Sequence, residues 1–210
     1  MHADKTLIML FHGIGASSAQ LIPLASSYQS SLPEARVVVP DAPFRHQYGR
    51  EWFSIHGDPL APDRICRARK AFDATVTEII TREGFENSLD RVAFVGVSQG
   101  AIVSLDAVAS GRWQVGSLVS FAGLLPPFRV TGGSNRTPVL LVHGDDDRTI
   151  PAFASTMAAG ELRAAGYQVE LDIQPHVGHT ISPAGASRAL AFLLRTLSQK
   201  PVTAPKVSAA

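Results

Sequence analysis

Residues 92–100 read Val-Ala-Phe-Val-Gly-Val-Ser-Gln-Gly, and a helical pattern starts at once from Ala101. A β-branched, apolar strand therefore runs straight into Gly96-Val97-Ser98-Gln99-Gly100. That is the context of a nucleophile elbow, in which a serine sits on a tight, strained strand-to-helix turn. Gly96 and Gly100 leave room for neighbouring chain to pass close to the turn. The hydroxyl of Ser98 then stands at the carboxyl end of a strand, with the N-terminus of the following helix beside it. Five-residue patterns with two free positions recur by chance. The strand before this one and the helix after it are what give it weight.

The same alternation extends along the chain in both directions. Strand-length apolar runs occur at Thr6–Phe11, Arg36–Val39, Arg91–Val95, Ser117–Phe121, Pro138–Val142 and Tyr167–Ile173. Most are apolar throughout, as parallel strands covered on both faces are. Helical patterns lie between them, at Ser18–Ser31, Asp63–Arg82, Gln99–Ala109, Pro151–Ala165 and Pro183–Gln199. In the second of these, Ile65, Ala68, Phe72, Val76 and Ile79 fall on one face, with Asp63 placed to cap the start and Gly84 the end. The expected architecture is α/β: a mostly parallel sheet of about six strands with helices on both faces. Residues 1–199 are expected to form one domain and 200–210 a flexible tail. The segment from Pro40 to Pro62 is a long loop whose Phe44, Tyr48, Trp52 and Phe53 argue against disorder. Leu124–Pro138 is irregular, and it is too short to hold a cap domain.

Composition excludes several classes. The net charge is +1, with 45% hydrophobic and 18% charged residues, so no nucleic-acid partner is indicated. No apolar run reaches the length of a membrane span, and the short run Leu7–Phe11 is no signal-peptide core. Cys66 is the single cysteine, which removes an intrachain disulfide and fits a cytoplasmic setting. On its helix it reads as inert core.

A serine alcohol needs a base, and the base needs an acid to fix its tautomer. After an elbow the partners are expected at later strand ends, carboxylate first and histidine second. Past the strand Val139–Val142 comes His143-Gly144-Asp145-Asp146-Asp147, and past Val169–Ile173 comes Gln174-Pro175-His176-Val177-Gly178-His179. Asp145 and Asp146 also read as turn formers, and Asp147 also reads as a helix cap; spacing tilts modestly toward Asp147. His176 and His179 compete for the base. A metal held by these histidines and aspartates fits poorly, since His-x-x-His in a loop is a weak spacing match. For a developing oxyanion, the backbone N–H of Gln99 and that of Ile14, in the loop His12-Gly13-Ile14-Gly15, are the expected donors. His12 reads as a strand-end residue that hydrogen-bonds the loop.

These pieces together resemble the phospholipase/carboxylesterase family of α/β-hydrolases, which includes acyl-protein thioesterases and small bacterial carboxylesterases. The matching segments are Phe11-His12-Gly13-Ile14-Gly15, Pro40-Asp41-Ala42-Pro43, Gly49-Arg50-Glu51-Trp52-Phe53, Gly96-Val97-Ser98-Gln99-Gly100, His143-Gly144-Asp145-Asp146-Asp147 with Ile150-Pro151, and Gly178-His179. They stand in the family's order across nearly the whole chain. The resemblance implies a single α/β-hydrolase domain without a cap. It implies a triad of Ser98, Asp147 and His179, and an oxyanion hole from the amides of Ile14 and Gln99. It singles out Asp147 because the family's acid stands four residues before the proline. The implied activity is hydrolysis of carboxylic esters with short to medium acyl chains, with thioesterase or lysophospholipase activity and a non-catalytic binder as the alternatives. No cofactor or metal is implied. The implied partner is a small-molecule ester, with a homodimer admitted. The chain departs from the family in opening almost directly on Thr6–Phe11, where members often carry an extra strand, and in having Ser54 where the thioesterase branch has aspartate. Its compact loops resemble those of the bacterial esterases. Trp52, Phe53, Leu124 and Leu125 are candidates for the pocket wall, and Trp52 and Phe53 read equally well as packing under the long loop.

Overall fold

The computed structural model describes residues 6–131 and 137–198. Its central sheet has strands β1 (Thr6–Phe11), β2 (Ala35–Val38), β5 (Val92–Val97), β6 (Ser117–Phe121), β7 (Val139–Gly144) and β8 (Val169–Gln174). The order is β2-β1-β5-β6-β7-β8, and every neighbouring pair is parallel. Alternate side chains of β1 divide between two cores, as the pleat requires. Leu7, Met9 and Phe11 join one core, while Ile8 and Leu10 join the other. The first core packs beneath helices α2 (Pro62–Glu83), α3 (Gln99–Ala109) and α4 (Phe153–Ala164). The second packs beneath α1 (Ile22–Ser31) and α5 (Pro183–Ser198). Both faces are covered, which accounts for the nearly continuous apolar strands.

Chain order reverses direction between β1 and β5. The chain moves from β1 outward to β2, then crosses back to β5 and proceeds the other way. At such a switch point the loops leaving neighbouring strands diverge and open a crevice at their carboxyl ends. Here those are the loop after Phe11 and the turn after Val97.

Several boundaries differ from those expected. Helix α1 is preceded by a 3₁₀ turn at Ser18–Leu21 and starts only at Ile22, with a proline in its first two positions. Asp63 does not cap α2: Ala61 holds that position without a side-chain bond and Pro62 opens the helix, leaving Asp63 in the first turn. Gly84 does end it, at φ 77°, with its N–H on the carbonyls of Ile80 and Thr81. Cys66 is exposed and outside the core, because the inward stripe of α2 runs through Phe72, Val76, Ile79 and Ile80. Strand β8 begins at Val169, since Tyr167 turns inward and its hydroxyl donates to Val108 O at 2.9 Å. The long loop contains a small antiparallel hairpin, β3 (Phe44–His46) and β4 (Gly49–Glu51). The expected boundary at residue 199 and the tail 200–210 lie outside the described residues.

Candidate active site

Ser98 occupies the turn between β5 and α3 with φ 52° and ψ −116°. Few non-glycine residues adopt such angles, and holding one costs about 1–3 kcal/mol, so the surroundings must enforce it. Its N–H donates to Phe121 O at 2.9 Å, and its carbonyl accepts from Ile102 N at 3.0 Å. A Cβ on Gly100 would lie 2.2 Å from Phe11 O, and one on Gly96 would lie 2.5 Å from Ala101 Cα. Both glycines are therefore required by close backbone approach. Gly13 lies against the serine, where a Cβ would stand 3.3 Å from Ser98 Cβ.

The strand ends bring together the residues that the resemblance implied. Ser98 Oγ is 2.8 Å from His179 Nε2, and His179 Nδ1 is 2.6 Å from Asp147 Oδ2. The Asp147 side chain is fully buried and that of His179 is 24% exposed. Asp147 Oδ1 accepts the backbone N–H groups of Thr149 and Ile150 at 2.8 and 2.9 Å. Burial pushes this carboxyl's pKa upward, but the bonds from His179, Ile150 and Thr149 and the nearby imidazole outweigh it, leaving the pKa lowered. Asp147 is thus held as a carboxylate. It does not cap α4, whose cap position is Ala152.

The competing residues go elsewhere. Asp145 Oδ1 accepts the N–H of His176 at 2.6 Å, tying one loop to the other. The His176 side chain is 91% exposed, at 3.9 Å from Asp146. His12 takes the loop-binding role: its Nδ1 lies 2.7 Å from Gly13 O, and its Nε2 accepts from Ala42 N at 2.9 Å.

The loop after β1 is held by the hairpin. Gly15 N–H donates to Arg50 O, and Arg50 N–H donates to Ala16 O, each at 2.8 Å. The Gln99 side chain ties the elbow to the same hairpin. Its Oε1 accepts from Trp52 N, and its Nε2 donates to Phe53 O, both at 2.6 Å. The Trp52 indole N–H donates to His12 O at 2.9 Å. Sequence reading assigned Gln99 only a backbone role and the hairpin none. Strands of three residues without an apolar alternation leave no periodic signal.

A cavity of about 550 Å³ opens beside Ser98 and is lined by Ile14, Phe53, Phe72, Gln99, Ile102, Leu124 and Ile150 among others. At Arg69, Asp106 and Arg112 its wall becomes charged. There the Arg69 guanidinium donates to both carboxylate oxygens of Asp106 at 2.9 and 2.6 Å, and Arg112 donates to Asp106 at 2.9 Å. Phe53 and Leu124 belong to the lining as expected, whereas Trp52 and Leu125 do not. Trp52 is 1% exposed, edge-on to Phe11 at 5.5 Å, and Leu125 packs against the same core. The hairpin turns the indole inward under the loop, so packing is its role.

Comparison with known proteins identifies the family. The family model described as Phospholipase/Carboxylesterase matches residues 2–197. Esterase YpfH of Escherichia coli (strain K12) is 28% identical over 197 residues, covering 92% of this chain and 84% of its own length. Carboxylesterase SOBER1 of Arabidopsis thaliana is 28% identical over 196 residues, covering 85% of each chain. The crystal structure of esterase PE8 superposes with a TM-score of 0.80 at 30% identity, covering 93% of this chain and 94% of that one. The fold is that of the α/β-hydrolase esterases, and the chain belongs to the phospholipase/carboxylesterase family.

Proposed function

We propose that this protein hydrolyses small carboxylic esters through an acyl-enzyme formed on Ser98. The hydrogen-bonded line from Ser98 Oγ through His179 to Asp147, at 2.8 and 2.6 Å beside an apolar cavity, carries the reading. His179 Nε2 takes the hydroxyl proton as Oγ attacks the ester carbonyl. Asp147 keeps the Nδ1–H tautomer and stabilises the imidazolium that forms. The carbonyl oxygen becomes an oxyanion facing the backbone N–H groups of Ile14 and Gln99. Gln99 suits this role because it is the first residue of α3, where an N–H has no carbonyl behind it in the helix. The intermediate collapses, and His179 returns the proton to the departing alcohol. Water then gives a proton to His179 and attacks the acyl-enzyme; the acyl–Oγ bond breaks, the acid leaves, and His179 returns the proton to Ser98 Oγ. Nucleophile, base and oxyanion donors all come from the chain, so the reaction calls for no cofactor.

The cavity wall of Phe53, Ile102 and Leu124 suits an apolar acyl or alcohol group of short to medium length. The names of the relatives, esterase and carboxylesterase, point to the same bond. A cytoplasmic setting completes the reading, on the strength of a chain with one cysteine.

A panel of p-nitrophenyl esters from acetate to octanoate, run beside acyl-CoA thioesters, tests this. The wild type is expected to cleave the esters, and a fluorophosphonate probe to label Ser98. Ser98→Ala is expected to fold normally and lose activity by at least about a thousandfold. Near-normal ester cleavage by that variant refutes the assignment. A preference for long-chain thioesters replaces it with the thioesterase reading, and failure of the probe to label Ser98 favours a binder.

A further inference from the structure

Two histidines share one oxygen of Asp147, and only one of them reaches Ser98. The other, His143, lies in β7 with its ring fully buried. Its Nε2 is 2.8 Å from Ile150 O and 3.1 Å from Asp147 Oδ2. Its Nδ1 is 2.7 Å from Ser155 Oγ. A backbone carbonyl only accepts, so Nε2 must carry a hydrogen, shared between Ile150 O and the carboxylate. With the ring neutral, the Ser155 hydroxyl donates to Nδ1 at 2.7 Å in preference to the Gly123 carbonyl, which lies at 3.5 Å.

The consequence falls on Asp147. Its Oδ1 is tied to the turn by the N–H groups of Thr149 and Ile150. The direction of Oδ2 is then set by its own donors, His179 Nδ1–H and His143 Nε2–H. His179 sits on a loop, is partly exposed and exchanges its proton with Ser98 in the proposed reaction. His143 is held at Ile150, Asp147 and Ser155. We propose that His143 is a positioning residue of the reaction: its neutral Nε2–H tautomer aims Asp147 Oδ2 at the Nδ1–H of His179. The inference rests on the catalytic reading of Ser98, His179 and Asp147.

Histidine ¹⁵N NMR of the unmodified protein is the first test. In the resting enzyme, His143 is expected to carry its ring hydrogen on Nε2, with Nδ1 unprotonated. A hydrogen on Nδ1 alone, or a doubly protonated ring in the resting enzyme, overturns the proposal. Two variants supply the second test: His143→Leu removes the donor, and His143→Gln places an amide N–H near the Nε2 position. Rates on p-nitrophenyl acetate are taken per site titrated with a fluorophosphonate. In His143→Leu, kcat is expected to fall about ten- to hundredfold with KM changed by less than about twofold. The low-field proton resonance of the His179–Asp147 bond is expected to shift or vanish. His143→Gln is expected to recover most of both. A folded His143→Leu protein with unchanged kcat and an unchanged low-field resonance overturns the proposal. If that variant does not fold, the tautomer in the unmodified protein decides. Asp147→Asn keeps the two questions apart, because a fully active Asp147→Asn protein sinks the catalytic reading itself.

Discussion

His12 shows how burial sets the behaviour of a single side chain. Burial lowers its pKa from 6.5, and the Gly13 carbonyl and Asp41 only partly oppose this. A proton on Nε2 would also face the N–H of Ala42, donor against donor. Below about pH 6.5 the unfolded chain binds a proton at this position that the folded chain does not. The stability contributed by neutral His12 is therefore complete above pH 6.5 and is lost as the pH falls toward the lowered folded-state value. The urea midpoint of the wild type is expected to drop between pH 7 and pH 5, and less steeply in His12→Gln. Equal slopes for the two proteins would contradict this. His12 was legible as a loop-binding residue because it ends a strand beside Gly13. Spacing tilts only modestly toward Asp147 and the resemblance singles it out, since Asp145 and Asp146 offer the same carboxylate two and one positions away.

The elbow and the hairpin differ in how they are written into the chain. The elbow has a local cause: a strand, a helix and two glycines that nothing larger can replace. Gly100→Ala puts a Cβ 2.2 Å from Phe11 O and 2.7 Å from His12 O, where only backbone could give way. It is expected to cost at least about 2 kcal/mol in thermal unfolding and to abolish most ester hydrolysis. Gly160, exposed on α4, is the control, since a Cβ there meets nothing within 4 Å. Gly160→Ala is expected to stabilise by about 0.5–1 kcal/mol with activity unchanged. A stable, active Gly100→Ala protein would mean that α3 can shift away from β1 at little cost. The hairpin has no such local signature. Its strands persist because Arg50 pairs with the loop after β1 and because Gln99, from the elbow, holds Trp52 and Phe53.

Taken whole, the molecule is a sheet whose switch point delivers two loops to one crevice. Helices α2 and α3 and the segment after β6 then enclose an apolar space beside it. Phe72 closes that space and also meets Phe11, Trp52 and Phe94 in the core, at ring distances of 5.0, 5.6 and 5.9 Å. Cavity and core share a wall, so the cavity is as stiff as the packing behind it. Ala68, on α2, lines the cavity without belonging to the hydrogen-bonded line at Ser98. Ala68→Trp is expected to lower kcat/KM for p-nitrophenyl octanoate about tenfold or more while leaving acetate within about twofold. An unchanged chain-length profile would show that the acyl group binds elsewhere.

The amino-acid order settles whatever depends on near neighbours. Continuous apolar runs made the parallel sheet readable, and the glycines around Ser98 made the turn readable, because both follow from backbone sterics and burial over a few residues. The tertiary structure alone decided that Trp52 packs inward, that Cys66 faces out, and that His143 and His179 converge on one carboxylate oxygen. The first two depend on how the hairpin and α2 seat against the sheet, and the third on β7 and the loop after β8 meeting, which brings His179 to a carboxylate 32 residues away and only four from His143; packing and contacts of that range leave no period in the sequence.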